Sequence, residues 1–352
     1  MQWFKRSPWA GSDKRKMPPV QSICSVFLNR TLSPARCWFA LAVYAAERLY
    51  RELSEATRDA ASRLKSLAII SGVLLLIILC GSIGAWLLVD VLSLPYDRIL
   101  TRLVLLCVVL SAWPMTRVLN IDWQASGFTQ LEPSVIWRSA VLGVLLLLPI
   151  MLVHVVTGFR VLDPRLVFDG QLLGFVVFAV LSAFAVGVFE EGLFRGVLLI
   201  RIQNWLGTAT AVTITSVLYG CVHFLRPKQV SLEAVEWYSG FSYLQASLLN
   251  LFDAQANWDS FLALALLGGL FCVVRLRFSL WACVGLHAGF VLGIRLFKEA
   301  MVREMENPYQ AMVGSYDHFV GLLVAAWIVF LLVCLQLHKT VKDRSSAPHV
   351  RL

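Results

Sequence analysis

The sequence predicts an all-α, polytopic membrane bundle, and three observations predict it. Of 352 residues, 58% are hydrophobic and 15% charged, whereas soluble domains carry about 25% charged residues. Residues 67–89 run for 23 positions without a charge, and roughly 20 apolar residues span a bilayer core. Apolar runs then recur to about residue 337, so one helical membrane domain accounts for the length better than two.

The flanks differ from the core. Residues 1–66 hold 12 Lys/Arg against 5 Asp/Glu, and Lys339, Lys342, Arg344 and Arg351 oppose only Asp343 after the last apolar run. Of the net +9, most therefore sits at the ends, which suits cytoplasmic termini touching anionic lipid head groups. No recognition motif accompanies the charge, so nucleic acid is not an expected partner. Three regions follow: a basic tail and amphipathic helix over 1–66, a transmembrane domain over 67–338, and a basic tail over 339–352. Within the first, 1–35 reads as tail and 37–65 as a helix on the membrane surface, or equally a solvated one, with Glu47/Arg51 and Arg48/Glu52 at ion-pair spacing. No cleavable signal peptide is expected, because the first 36 residues are basic and contain proline without an apolar core. Eight cysteines form no CxxC pair; those in apolar runs read as small buried hydrophobes.

Eight spans are predicted, at about 67–89, 101–118, 136–157, 172–200, 207–225, 259–275, 278–296 and 317–338. The second and sixth are short between charges, with 14 residues between Arg102 and Arg117 and 15 between Asp259 and Arg275; snorkelling of those ends would allow them to cross. An even count puts both termini on one side. The connection 226–258, which contains WYSGFSY, is expected as an external loop.

The stretch VGVFEEGLFRGVLL, residues 186–199, places Glu190, Glu191 and Arg195 inside an apolar run. Each such charge costs on the order of 2.5–3.5 kcal/mol on insertion scales. Glu191 and Arg195 are four apart and share a helix face, so they can pair. Glu190 points about 100° away and is left without a local partner. A carboxylate in that position can serve as a base toward water, or the cluster can simply lock two helices together. His223 in SVLYGCVHFLRP and His287 in LWACVGLHAGFVLG are two further polar groups in apolar segments. Two imidazoles and a carboxylate are a zinc-ligand set that can also position a water, although the spacing is not HExxH and three helices must meet to assemble it. His154, His318, His338 and His349 have no companion motif and read as packing or surface residues.

EEGLFR at 190–195, YGCVH at 219–223 and HAGFV at 287–291 resemble, in order, the EExxxR, FxxxH and HxxxN motifs of the CAAX-protease and bacteriocin-processing (CPBP) family of intramembrane endopeptidases. The resemblance covers about 170–296. It implies a type II CAAX prenyl endopeptidase-like bundle, with Glu190 activating water, His223 and His287 holding that water or a zinc ion, and Glu191 and Arg195 in support. It leaves open zinc or a metal-free glutamate mechanism. It implies a substrate that is a membrane protein or peptide tail, such as a prenylated C-terminus, a bacteriocin leader or a sorting tail, and a location in a bacterial inner (plasma) membrane. Tyr219 replaces the family's Phe and Val291 its Asn; valine can neither donate to an oxyanion nor ligate a metal. Val291 favours a catalytically inactive, binding relative as an alternative. A proton-coupled transporter is the other, though the internal repeat it calls for is not visible. The predicted edges also put Glu190 and His223 on the order of 15 Å apart in depth, so a shared site requires the fifth segment to tilt or start later.

Overall fold

The computed structural model describes residues 34–118, 121–225, 234–251, 254–304, 307, 312–314 and 316–345. The expected N-terminal tail lies outside them but for its last two residues, as do residues 346–352. Helix α1 runs from Pro34 to Leu92, so the surface helix and first span expected on either side of residue 66 form one unbroken helix. Of the two expected ion pairs on it, Arg48–Glu52 closes at 2.9 Å; the Glu47 and Arg51 side chains lie outside the description. Helix α2 spans Tyr96–Val118. A single turn, α3, spans Trp123–Ser126, capped by Asp122 and ended by Gly127 at φ 85°.

The main bundle follows. Helix α4 spans Pro133–Val156 and leads to strand β1, Arg160–Leu162. Helix α5, Gly170–Glu191, passes through a π-helical segment, Gly192–Leu198, into α6, Leu199–Leu206. Helix α7 spans Thr208–His223, α8 Ser239–Leu251, α9 Ala254–Arg277 and α10 Leu280–Ala300. Strand β2, Met301–Arg303, pairs antiparallel with β1, Arg160 opposite Arg303. Helix α11, Leu322–Ser345, closes the chain and carries helix seven residues into the expected C-terminal tail. The expected external loop at 226–258 contains α8 and the start of α9; 226–233 lie outside the description.

Among the described residues, five stretches are long and apolar enough to cross a membrane: Ala60–Leu92, Pro133–Val156, Gly170–Leu206, Asn257–Arg277 and Leu280–Ala300, with Leu322–His338 a shorter apolar helix. The expected eight are not reached. Helix α7 has 16 residues, about 24 Å of helix against a core of roughly 30 Å. Helix α2 carries Asp97, Arg98, Arg102 and Arg117 and is not among the five.

Helix α10 is the centre of the bundle, every residue from Leu280 to Phe290 being buried. Its glycines run at four-residue spacing: Gly285 faces Ile136, Gly289 faces Ala140 and Gly143, and Gly293 faces Leu147. Those pairings advance together, so α4 and α10 lie parallel with backbones in contact, as small-residue stripes permit in a bilayer where apolar burial alone gives helices no reason to associate. Helices α5 and α10 run antiparallel, since Gly187 meets Val284 and Ala288 while Arg295 donates to the Ser182 hydroxyl. Helix α9 packs antiparallel on α7, Gly220 against Phe261 and Gly268 against Ser216. Arg277 fastens α11 through the Leu335 carbonyl and Gln336 side chain, both at 2.7 Å.

A Cβ on Gly289 would collide with the Ala140 carbonyl oxygen, whereas one on Gly174 meets nothing within 4 Å. Gly289→Val should therefore lower stability by about 1–3 kcal/mol through overpacking, seen as a lower unfolding midpoint in detergent, with Gly174→Val unchanged in the same measurement.

Candidate active site

The long helix carrying the EEGLFR stretch does not stay α-helical. It widens into the π segment at Gly192, directly after the two carboxylates. Gly192 and Gly196 lie against the Phe128 ring, where a Cβ would come within 2.8 and 3.0 Å. Single π turns inside α-helices often mark functional sites.

Glu191 and Arg195 are both fully buried. Arg195 Nη1 donates to Glu191 Oε1 at 3.0 Å and Nη2 to the Gly268 carbonyl at 2.9 Å. Its guanidinium carbon lies 4.6 Å from the Tyr219 ring centroid, 5.0 Å from Phe271 and 5.5 Å from Phe194. Aromatic faces and a carboxylate thus replace the water the cation has lost. Sequence reasoning anticipated the pairing with Glu191 but not the attachment to α9.

His287 reaches both carboxylates. Its Nδ1 lies 2.8 Å from Glu191 Oε1 and its Nε2 3.9 Å from Glu190 Oε2. The ring stacks on Phe271, centroids 5.1 Å apart at 13°. An ionised carboxylate only accepts, so the neutral imidazole carries its proton on Nδ1 and a lone pair on Nε2. The adjacent carboxylates differ in setting: the Glu191 side chain is fully buried, that of Glu190 25% exposed. Glu190 Oε2 is nevertheless shielded and has no hydrogen-bond partner among the described residues.

His223 is half-buried at the end of α7, with Nδ1 2.8 Å from the Tyr219 carbonyl. A carbonyl accepts, so here too the neutral ring bears its lone pair on Nε2. Tyr219 stands between the two imidazoles, its ring 4.8 Å from His223 and 6.3 Å from His287. The expected depth mismatch disappears because α6 continues to Leu206 and Gly207 alone makes the turn. Glu191 lies 16 residues before Gly207 and His223 16 after it, so the antiparallel helices bring both motifs to one level. The error lay in ending the fourth segment at 200.

Val291 is half-buried one turn beyond His287, and Arg295, a turn further, is engaged with Ser182. His154 lies elsewhere, fully buried and stacked on Phe319 at 4.9 Å and 14°, a packing residue. Among the described residues no three His, Cys, Asp or Glu side chains are grouped to hold a metal ion. Glu190, His223 and His287 have suitable donor atoms for zinc but do not form a coordination sphere as they stand. The placement of Tyr219 was not legible from spacing; its one signal was the replacement of an apolar aromatic by one bearing a hydroxyl.

Arg195→Leu should leave Glu191 buried opposite only a neutral imidazole and cost about 3–5 kcal/mol, measurable as loss of folded protein in detergent, with Arg195→Lys retaining part of that stability.

No curated protein and no solved structure is significantly similar to the chain. Residues 172–293, from the start of α5 to the third glycine of α10, match the family model described as Type II CAAX prenyl endopeptidase Rce1-like, a match consistent with the CPBP family of proteases; with the apolar helices it points to an integral membrane protein.

Proposed function

We propose that the protein is an intramembrane endopeptidase that hydrolyses a peptide bond in a membrane-associated protein or peptide tail. The observation that carries this reading is the pair of acceptors facing each other across 3.9 Å, Glu190 Oε2 and the lone-pair Nε2 of His287. That gap is long for a direct hydrogen bond and suits a bridging water. Such a water donates to both acceptors and keeps an oxygen lone pair for the substrate carbonyl. Glu190 takes its proton as general base and returns it to the leaving amine. Glu191, held by Arg195, fixes the His287 ring so that Nε2 stays bare. The Nε2 of His223 is likewise bare, its ring 4.8 Å from that of Tyr219.

Zinc held by Glu190, His223 and His287 is the other route to an activated water, and it needs those side chains to converge. The substrate classes are those the family suggests: a prenylated C-terminus, a bacteriocin leader or a sorting tail. The setting proposed is a bacterial inner membrane with both termini cytoplasmic and the basic ends against anionic lipid, supported by the charge bias of the flanks.

Purified protein should cleave members of a fluorogenic tail-peptide panel, and Glu190→Ala should reduce cleavage to background. Equal rates for the two would remove the protease reading and leave a binding relative, which the valine at 291 would suit. Activity should persist in the presence of a zinc chelator; loss reversed by added zinc would reinstate the metal route. Cysteine labelling should find both termini accessible from the cytoplasmic side only.

A further inference from the structure

Glu191 meets two partners at one oxygen, Arg195 from its own helix and His287 from α10. The helix turns π-helical at Gly192, directly after Glu191, and stays so through Arg195 to Leu198. π turns are rare, and a glycine costs about 1 kcal/mol against alanine in a helix interior, so a stretch holding Gly192 and Gly196 does not by itself favour the wide turn. A support lies outside it. The edge of the Phe128 ring covers both glycines: a Cβ on Gly192 would lie 2.8 Å from Phe128 Cζ, and one on Gly196 3.0 Å from Cε2. Phe128 is itself set in place. It follows Gly127, whose φ of 85° ends α3, and its ring meets Trp123 and Trp281 edge-on, with centroids 5.5 and 6.4 Å away. Arg275 joins the two parts. Its Nη2 donates to the Ala125 carbonyl of α3 at 2.8 Å, and its Nε to the Arg195 carbonyl inside the π segment at 3.3 Å.

We infer that Phe128 is a positioning residue: wedged against Gly192 and Gly196, it keeps the π turn wide, and the wide turn keeps Glu191 joined to Arg195 and His287 at once. A π turn carries one residue more than an α turn. Narrowing it would rotate everything beyond it by about 100° relative to α5. The Arg195 guanidinium would swing away from the Gly268 carbonyl and its three rings. With Arg195 held there instead, Glu191 would swing away from His287. The imidazole would then lose the acceptor that keeps its proton on Nδ1, and Nε2 would no longer stay bare toward Glu190. Phe128 thus acts through Glu191 and His287. It lies outside residues 172–293, which match the family model, so a segment ahead of the matched stretch shapes the site. The effect on turnover rests on the protease reading above; the effect on His287 does not.

Phe128→Ala removes the ring and leaves Glu190, Glu191, Arg195 and His287 unchanged in sequence. Wild type, Phe128→Ala and Glu190→Ala are assayed on the same fluorogenic tail peptides, each well below its own unfolding midpoint in detergent. The tautomer of His287 is read by nitrogen NMR on protein carrying isotope-labelled histidine. Its signals are identified among those of the six histidines by their absence from His287→Gln. Wild type should show a protonated Nδ1 and a bare Nε2, and Phe128→Ala a mixture of tautomers. The variant's kcat should be lower by about 10–10²-fold, the scale of loss when a remote mutation misplaces a group by about 1 Å, with KM within a few-fold of wild type. No difference between the two His287 patterns overturns the inference, and so does a kcat within threefold of a wild type that cleaves. Where Phe128→Ala does not fold, Phe128→Leu, which shortens the wedge without emptying its place, is read by the same criteria. Wild type no faster than Glu190→Ala defeats the protease reading, and the His287 pattern alone then decides the role of Phe128.

Discussion

The Glu191 carboxylate sits where no solvent reaches it and receives, on one oxygen, hydrogen bonds from Arg195 at 3.0 Å and His287 at 2.8 Å. Burying either charge alone would cost several kcal/mol; together they form a polar knot that other elements are arranged to complete. Arg195 extends it to α9 through the Gly268 carbonyl, and the Phe194, Tyr219 and Phe271 rings close over the guanidinium. His287 extends it to α10. The glycine stripe Gly285–Gly289–Gly293 then holds α10 against α4, so the height of the imidazole is fixed by backbone contact rather than by long side chains. One carboxylate therefore ties three helices together, and the neighbouring one, Glu190, stays outside that knot with its side chain 25% exposed.

Hydrogen-bond direction gives the site its chemical character. Both imidazoles face groups that only accept, a carboxylate and a carbonyl, and both neutral rings are thereby forced into the same tautomer. The Nε2 lone pair of His287 and the Glu190 carboxylate, 3.9 Å apart, face each other as two acceptors. Water, which brings two donors, suits that pair.

The knot was legible in the sequence because its first bond is local: four residues separate Glu191 from Arg195, and helix periodicity alone brings them together. The different settings of Glu190 and Glu191 followed from the same rotation. What lay beyond one helix was less visible. The Gly268 carbonyl carries no side-chain signal, and the bond from His287 to Glu191 spans 96 residues. Hydropathy located the long spans but not their ends, since α6 continues through Arg201, Gln203 and Asn204, polar residues that read as a break. The span count depends on the same edges: α7 is apolar but stops at 16 residues, and among the described residues five stretches are long and apolar enough to cross. The glycine stripe is present in the letters GLHAGFVLG, yet its partner on α4 is defined only by packing.

The Glu191–Arg195 pair has a consequence for how the protein is made. Because both members lie on one helix, the segment carries its own counterion before any other helix has arrived. A nascent span bearing an isolated buried carboxylate would pay the insertion cost in full. This one enters the bilayer already neutralised at that position, and its bonds to Gly268 and His287 form later, when those segments have been synthesised. The order of residues along the chain thus matches an order of assembly in which charge is compensated first and the contacts with α9 and α10 form afterwards.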